Sequence, residues 1–409
     1  MSITLRPTRS WIALTTLTLF TAYSHAHAVP TYSLTEIGTV TSDPNSHSYA
    51  SRINDRGQIL GANWSPHTLT KFIWQAGVTR ELNLTENGNT FFLSALNSAG
   101  VGLGFAQSND QAGPALWRDG HVVYLPAPGG PTDYRLATDI NDLGDAVGFA
   151  YQGYLSEICY GLLWRNGTAI DLSNLGGKIT LPIDINNRSQ VVGTATTADG
   201  TEHGFLWDNG TITDISHPNA AAIQIGGIND RGQVAGTWRD SSGTENAFLW
   251  QDGHMIDLPL LPGDVWSGAY GINERGQIVG ISGKDYASHL VVWDNQRITD
   301  LTSLIDGGSG WIFEPSGINS DGWIIGTAHA AGHDYGFLLR PVPEPHSIVA
   351  VCLTMLLLLS RRPRSHQPPI VNPTTRLAKN SCQFHRLLAV SSGDVVNPTY
   401  GRHIPAHRT

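Results

Sequence analysis

Four of the tryptophans that stand outside the regular pattern of this sequence are the first candidates for chemistry. They are Trp64, Trp238, Trp266 and Trp311, in segments that vary along the chain. An indole ring offers a flat apolar face on which a sugar ring can stack, and loops on a rigid scaffold carry function more often than strands do. We therefore treat these four side chains as possible ligand-binding residues. The alternative is that they only cover the edges of strands.

Other residues recur at regular intervals, and recurrence favours a structural role. One Asn appears seven times in Ile-Asn-Asp-x-Gly-like segments, at Asn54, Asn97, Asn141, Asn186, Asn229, Asn273 and Asn319. These side chains could form a ring of ligands or could hydrogen-bond the backbone at the end of a strand. A Trp follows about 20 residues later in six copies, at Trp74, Trp117, Trp164, Trp207, Trp250 and Trp293. Because a residue found in every copy usually meets a need of every copy, we predict backbone bonding for the Asn and core packing for the Trp.

No motif in the sequence assigns a reaction. A Gly-x-Ser-x-Gly elbow, a phosphate-binding loop and a dinucleotide fingerprint are all missing. Acidic turns such as 199–202 and 240–245 lack the Asp-x-Asp-x-Asp-Gly spacing of a calcium loop, which must supply six to eight oxygens. His329 and His333 are four residues apart, but in a predicted strand and loop. We predict no catalytic residue, no metal site and no cofactor.

The repeat itself predicts the fold. The steps between successive Asn are 43, 44, 45, 43, 44 and 46 residues. Each copy holds four short apolar segments, read in the fifth copy as 224–229, 233–238, 247–250 and 254–258. Turn sequences such as Asp252-Gly253 separate them, and helical periodicity is absent. Four antiparallel strands per 40 to 45 residues is typical of a propeller blade. We predict an all-β fold over residues 31–341, a seven-bladed β-propeller of four-stranded blades.

The two ends of this body predict how the ring closes. The seventh copy ends near Arg340, before its fourth strand, while a strand-like segment at 32–38 stands alone before the first copy. That segment is similar to the fourth-strand segments of other copies. We therefore expect the N-terminal strand to complete the last blade, which would also protect its edge.

Charge is divided between the body and the C-terminal tail. Residues 31–343 contain 15 Lys and Arg against 32 Asp and Glu, whereas residues 361–409 contain eight Lys and Arg and one acid. Neutralising phosphates requires Lys and Arg, so an acidic body argues against nucleic acid as a partner. The tail, 365–409, is rich in Pro, Ser, Asn and Arg without a period, and we expect it to be disordered.

The N-terminus has the order of a secretory signal peptide. Arg6 and Arg9 precede an apolar stretch at 11–23, and Ala26 and Ala28 fit the small-x-small cleavage pattern. The apolar stretch is too short for a membrane span, which needs about 20 residues. We predict cleavage after residue 28 and export.

The segment 342–364 contains a Pro-Glu-Pro motif, an apolar run and an Arg cluster. Pro343, Glu344 and Pro345 precede the apolar residues 348–359, and Arg361 and Arg362 follow. This order resembles the PEP-CTERM sorting signal of Gram-negative bacteria. The resemblance implies processing by an exosortase-like enzyme and a link to exopolysaccharide. It also implies transient anchoring in the inner membrane through 346–360 and a final location at the cell surface or in the extracellular matrix. The family normally ends soon after the Arg cluster, whereas this chain continues for 45 residues.

The body also resembles the extracellular HAF-type repeat family. The nearest matches to its His-Ala-Phe run are His203-Gly204-Phe205-Leu206-Trp207 and Asn246-Ala247-Phe248-Leu249-Trp250. The resemblance covers nearly the whole body and implies repeated architecture and export, with no defined activity.

These observations predict an exported, non-enzymatic binding module for a glycan or another surface partner. The alternative is a propeller enzyme, a polysaccharide lyase or hydrolase with its site in the central channel. A cluster of non-repeating His, Tyr, Arg and acidic residues at the channel would favour the enzyme. A purely structural spacer, the third reading, predicts no concave site.

Overall fold

The strands follow the sequence repeats closely. The computed structural model describes residues 31–37, 45–66, 68–82, 85–86, 89–126, 134–151, 157–305, 310–330 and 332–342. In these residues the chain forms 29 strands and one short 3₁₀ helix, Thr302–Leu304. The predicted signal peptide, sorting signal and tail (1–28, 342–364 and 365–409) lie outside the described residues, except Val342.

The first strand, β1 (Thr31–Ile37), precedes the repeats. Repeat 1 contains β2 (His47–Ile53), β3 (Ile59–Ser65), β4 (Thr68–Gln75) and β5 (Val78–Glu81). Repeat 2 contains β6 (Thr85–Glu86), β7 (Asn89–Leu96), β8 (Gly102–Gln107), β9 (Ala112–Arg118) and β10 (His121–Tyr124). Repeat 3 contains β11 (Tyr134–Ile140), β12 (Ala146–Tyr151), β13 (Cys159–Arg165) and β14 (Thr168–Asp171).

Repeat 4 contains β15 (Gly176–Ile185), β16 (Val191–Thr197), β17 (Glu202–Asp208) and β18 (Thr211–Asp214). Repeat 5 contains β19 (Ala222–Ile228), β20 (Val234–Arg239), β21 (Glu245–Gln251) and β22 (His254–Asp257). Repeat 6 contains β23 (Trp266–Ile272), β24 (Ile278–Lys284), β25 (Ala287–Asp294) and β26 (Arg297–Asp300). Repeat 7 contains β27 (Ile312–Ile318), β28 (Ile324–Ala330) and β29 (His333–Val342).

Each repeat forms an antiparallel sheet in chain order, which confirms the predicted four-stranded unit. Repeat 2 carries the extra short strand β6. A parallel contact between Cys159 and Ile179 joins the sheets of repeats 3 and 4. In repeat 7 the fourth position is taken by β1, which pairs with β29 from Thr31 opposite Val342 to Ile37 opposite Gly336. The prediction that the N-terminal strand joins the last sheet is therefore confirmed.

The turn chemistry also agrees with the sequence. Asp252 and Gly253 both adopt positive φ, at 52° and 81°, as the hairpin between β21 and β22 requires. In every repeat the first strand has a register shift of one residue close to its end, which is the signature of a β-bulge. The bulge redirects the side chain that follows it, two positions before the repeated Asn.

The core lies between neighbouring sheets. Between repeats 5 and 6, for example, Leu249 and Leu258 pack with Ile278 and Trp293, all buried. A comparable cluster contains residues of the last and first repeats, with Ile325 and Leu338 against Ile59 and Phe72. Of the repeated tryptophans, Trp74, Trp164, Trp207 and Trp293 are buried, so the core prediction is confirmed for these four.

Candidate functional site

The seven repeated Asn are buried and bonded to one another's backbone. Each side-chain amide donates to the main-chain carbonyl of the next Asn, over distances of 2.9 to 3.3 Å. The last of these bonds runs from Asn319 to the carbonyl of Asn54. The side-chain carbonyl of each Asn accepts main-chain N–H groups of the turn that follows it. That of Asn229, for example, accepts the N–H groups of Arg231 and Gln233. The predicted backbone role of the Asn is confirmed, because their polar atoms are used inside the protein.

The four irregular tryptophans lie at the opposite end of the sheets. Trp266 opens β23 and Trp311 directly precedes β27, whereas Trp64 and Trp238 lie near the ends of β3 and β20. The start of a first strand and the end of the antiparallel second strand meet at one end of a sheet, as the pairing of His47 with Trp64 shows. We call this end, opposite the seven Asn, the distal end.

Two of the four tryptophans serve the packing of their own repeats. Trp238 is buried, stacks on His217 with ring centroids 4.1 Å apart, and donates its indole N–H to Asp257. Trp266 is half-buried with its ring against Gly283, where an added Cβ would come within 2.4 Å. These contacts hold both rings against protein, so we do not carry them into the proposed site.

Trp64 and Trp311 belong to one row of five rings formed by repeats 7 and 1. The rings follow one another in the order Trp311, Tyr335, His333, His47 and Trp64. The centroids of successive rings are 5.8, 6.2, 6.2 and 5.7 Å apart. Trp64 retains 46% of its exposure. We call these five residues the aromatic row. Sequence analysis found its two end members and missed the three between them.

A polar cluster lies beside the aromatic row. His329 Nδ1 is 2.7 Å from one carboxylate oxygen of Asp334, and its Nε2 is 3.4 Å from Glu314. The other Asp334 oxygen accepts the hydroxyl of Tyr49 at 3.4 Å and lies 3.3 Å from His47. Burial alone would lower the pKa of His329, but the hydrogen bonds and charges of Asp334 and Glu314 outweigh it and raise that pKa.

The same contacts set the charge of the carboxylate. Burial would raise the pKa of Asp334, but hydrogen bonding and the charge of His329 lower it. The cluster therefore keeps Asp334 negatively charged and places polar groups next to flat aromatic rings, a combination that suits hydroxylated ligands.

A second group of non-repeating residues lies in a cavity lined by the first strands. The bulges place Arg52, Asp139 and Asp184 there, in a cavity of about 240 Å³. The amide of Ile185 donates to both carboxylates, at 3.3 Å to Asp139 and 2.8 Å to Asp184. The amide of Ile228 also donates to Asp184 at 2.8 Å.

The neighbouring carboxyl group of Asp184 affects the pKa of Asp139. Burial raises the pKa of Asp139 well above its ordinary value, and the charge and hydrogen bond of Asp184 raise it further, while the charge of Arg52 acts in the opposite direction. Asp184 lies beside it and accepts two main-chain amides. Sequence analysis named neither residue, although both occupy a position where four other copies have Gly or Ala.

The acidic turns behave as solvated turns. Hydrogen bonds from Thr197 and Thr201 lower the pKa of Asp199 to about 2. Asp240 has a lowered pKa for the same reason, with Ser242 as its main donor. Register places His329 opposite Asp334 and His333 opposite Ala330, so the two histidines do not face each other. Within the described parts of the chain, no group of three or more His, Cys, Asp and Glu side chains has the geometry of a metal site.

The predicted processing residues fall outside the described residues. These are Ala26 and Ala28 of the cleavage site and Pro343, Glu344, Pro345, Arg361 and Arg362 of the sorting signal. In the portion that is described, no helix is both long enough and apolar enough to pass through a bilayer.

Comparison with known proteins gives a likeness of fold at low identity. No family model matches the chain, and neither does any curated protein. A puromycin-hydrolysing peptidase from Mycobacterium tuberculosis is 11% identical over 73% of this chain and 53% of that chain, with a TM-score of 0.45. YCF48 bound to a D1 peptide is 12% identical over 78% and 97%, with a TM-score of 0.43. TolB from Acinetobacter baumannii is 10% identical over 72% and 63%, with a TM-score of 0.33.

This chain spans about half the length of the peptidases that it matches. With identities of 12% or lower and TM-scores below 0.5, these likenesses carry no inference about its activity or partners.

Proposed function

We propose that the chain is an exported binding module built as a seven-bladed propeller, closed by β1, that holds a glycan against the aromatic row. Three sets of contacts support closure: the pairing of β1 with β29, the bond from Asn319 to Asn54, and the buried cluster shared by the last and first repeats. Closure protects the sheet edges that an open array would expose.

The aromatic row is the observation that carries the binding proposal. Its rings come from positions that differ from copy to copy, so no packing need common to all repeats explains them. Trp311 and Trp64 mark the ends of the row, and successive ring centroids along it are 5.7 to 6.2 Å apart. Asp334 and Tyr49 beside it provide an acceptor and a hydroxyl for sugar hydroxyl groups.

Export and sorting complete the proposal. The signal-peptide pattern at 1–28 and the Pro-Glu-Pro, apolar and Arg segments at 342–364 support secretion followed by exosortase-like processing. The expected location is the cell surface or extracellular matrix, with exopolysaccharide as the partner. Intact mass of the protein from its native host tests this part, since cleavage would leave a chain ending near residues 343–345.

The binding test uses exopolysaccharide from the source bacterium and size exclusion with separate detection of protein and carbohydrate. We expect the protein to move into the polysaccharide peak. Trp64→Ala and Trp311→Ala should each weaken this association roughly five- to thirty-fold, because a lost ring contact removes about 1–2 kcal/mol. Tyr286→Ala is the matched control, a fully exposed aromatic at the distal end outside the row. Equal binding by all variants would refute the proposed surface.

A polysaccharide lyase or hydrolase is the second candidate, and the adjacent carboxyl groups of Asp139 and Asp184 in the cavity favour it. Such a pair can hold and release a proton at one position, as general acid–base catalysis requires. The same chromatography separates the two functions. A polymer that shrinks with time in the presence of wild-type protein, but not of Asp184→Asn, would establish the enzyme.

A further inference from the structure

The third strand of repeat 1 carries a lysine, Lys71, at a position that is uncharged in every other repeat. This position lies three residues before the repeated Trp, or before Leu339 in repeat 7. The other six repeats have buried residues there, namely Pro114, Gly161, Gly204, Ala247, Leu290 and Gly336. A repeat therefore folds without a charge at this place, and the amine of Lys71 needs an explanation of its own.

Lys71 lines a cavity of about 480 Å³ that lies beside the first strands of repeats 1, 2 and 3. Its walls are largely apolar, with Phe92 and Phe105 from repeat 2 and Leu136 from repeat 3. The ring of Phe92 is 54% exposed and is therefore free to contact a ligand. The cavity is distinct from the one that contains the two bulge carboxyl groups, although Arg52 borders both.

The amine of Lys71 has no partner that would hold it as an ammonium ion. Lys71 makes no hydrogen bond or ion pair within the described parts of the chain. The other charged side chain at the cavity is Arg52, also a cation, and no carboxyl group of the described residues lines it. Burial lowers the pKa of Lys71, because the ammonium ion loses hydration there. A desolvated lysine in an apolar pocket is a nucleophilic amine, the form that adds to carbonyl compounds.

We propose that Lys71 is a covalent binding site for an aldehyde with an apolar body, which it holds as a Schiff base. The neutral Nζ adds to the aldehyde carbon, and a C=N bond replaces the C=O bond. The carbonyl oxygen leaves as water with the two protons of the amine, so the step requires no oxidant or reductant. Phe92, Phe105 and Leu136 provide the surface against which the apolar body packs. None of the five residues of the aromatic row lines this cavity, so the site does not depend on polysaccharide binding.

The probe is benzaldehyde with sodium cyanoborohydride, which reduces a Schiff base to a stable secondary amine. The described parts of the chain contain three lysines, and peptide mass spectrometry measures the label on each. Lys178 is exposed and paired with Glu157 at 2.9 Å, and Lys284 is also exposed, so both serve as internal controls. At pH 7 and a limiting dose of benzaldehyde, Lys71 should carry most of the label. The three lysines are compared within one molecule, so the result does not depend on the folding of any variant.

Phe92→Ala tests the apolar wall of the site. It should slow benzaldehyde labelling of Lys71 about three- to tenfold, because the aldehyde loses its contact with the Phe92 ring. Labelling by acetaldehyde, which has no ring to pack there, should stay unchanged in this variant. Tyr286→Ala removes an exposed aromatic ring elsewhere and should match the wild type with both aldehydes. Equal benzaldehyde labelling of Lys71, Lys178 and Lys284, or equal labelling of Lys71 in Phe92→Ala and Tyr286→Ala, would overturn the proposal.

Discussion

Replacing Asn229 by Ala tests whether the repeated Asn hold the repeats together. Asn229 is fully buried and makes four bonds. Its side-chain carbonyl accepts the main-chain N–H groups of Arg231 and Gln233, each at 3.1 Å. Its side-chain NH₂ group donates to the side-chain carbonyl of Gln233 at 2.8 Å and to the main-chain carbonyl of Asn273 at 3.1 Å. Truncation leaves two amides and a carbonyl without partners where water has little access.

Each buried polar group left unsatisfied costs about 1–3 kcal/mol. We therefore expect Asn229→Ala to lower the free energy of unfolding by about 3–5 kcal/mol, allowing for partial relaxation of the turn. The assay is urea unfolding followed by tryptophan fluorescence. Asn219→Ala is the control, since Asn219 is exposed in a loop and its side chain makes no bond that would be lost. A cost below about 1 kcal/mol for Asn229→Ala, equal to that of the control, would refute the structural role.

Two further perturbations test the channel and the closure. Because the pKa of Asp139 is raised in the folded protein, Asp139 keeps its proton at pH values where the unfolded chain, with the ordinary pKa of 3.8, has released it. The contribution of this group to the stability of the folded protein therefore decreases as the pH rises. Asp139→Asn keeps a donor at every pH, and its urea midpoint should fall less than that of the wild type as the pH is raised above 3.8. Equal slopes would contradict the raised pKa of Asp139. Between repeats 7 and 1, the Arg340 guanidinium lies 4.3 Å from the Trp323 ring centroid and 5.3 Å from that of Trp74 in repeat 1. Arg340→Met should lower the free energy of unfolding by about 1–2 kcal/mol, whereas the control Arg297→Met, at an exposed position, should not change it measurably. Equal free energies of unfolding for the two variants would contradict a stabilising contact of Arg340 between the last and first repeats.

Features that recur in every copy could be predicted from the sequence, because their spacing reports a shared physical need. The buried Asn and the Trp of the third strands were predicted on that ground, as was the pairing of the stray strand β1 with β29. Turn residues such as Asp252 and Gly253 were equally clear, since positive φ restricts the residues that a hairpin accepts.

The members of the aromatic row could not be grouped from sequence because they come from opposite ends of the chain. His47 and Trp64 belong to repeat 1, whereas Trp311, His333 and Tyr335 belong to repeat 7, the last of the series. Their proximity depends on the contact between the last and first repeats, which no local pattern specifies. Asp139 and Asp184 were missed for another reason. A one-residue bulge turns their side chains toward the channel, and simple alternation along a strand gives no sign of it.

One rule nevertheless separates structural from functional positions in this chain. Where all copies agree, as at the repeated Asn, the side chain satisfies a bond that every repeat must make. Where equivalent positions disagree, the packing has no common requirement, and a charged or aromatic side chain there needs an explanation of its own. Asp184 illustrates the point, because Gly227, Gly271 and Gly317 show that a repeat folds without any side chain at this place. The carboxylate is therefore an addition to the fold, and comparison of the seven copies with one another is enough to mark both Asp139 and Asp184 as departures from the repeat.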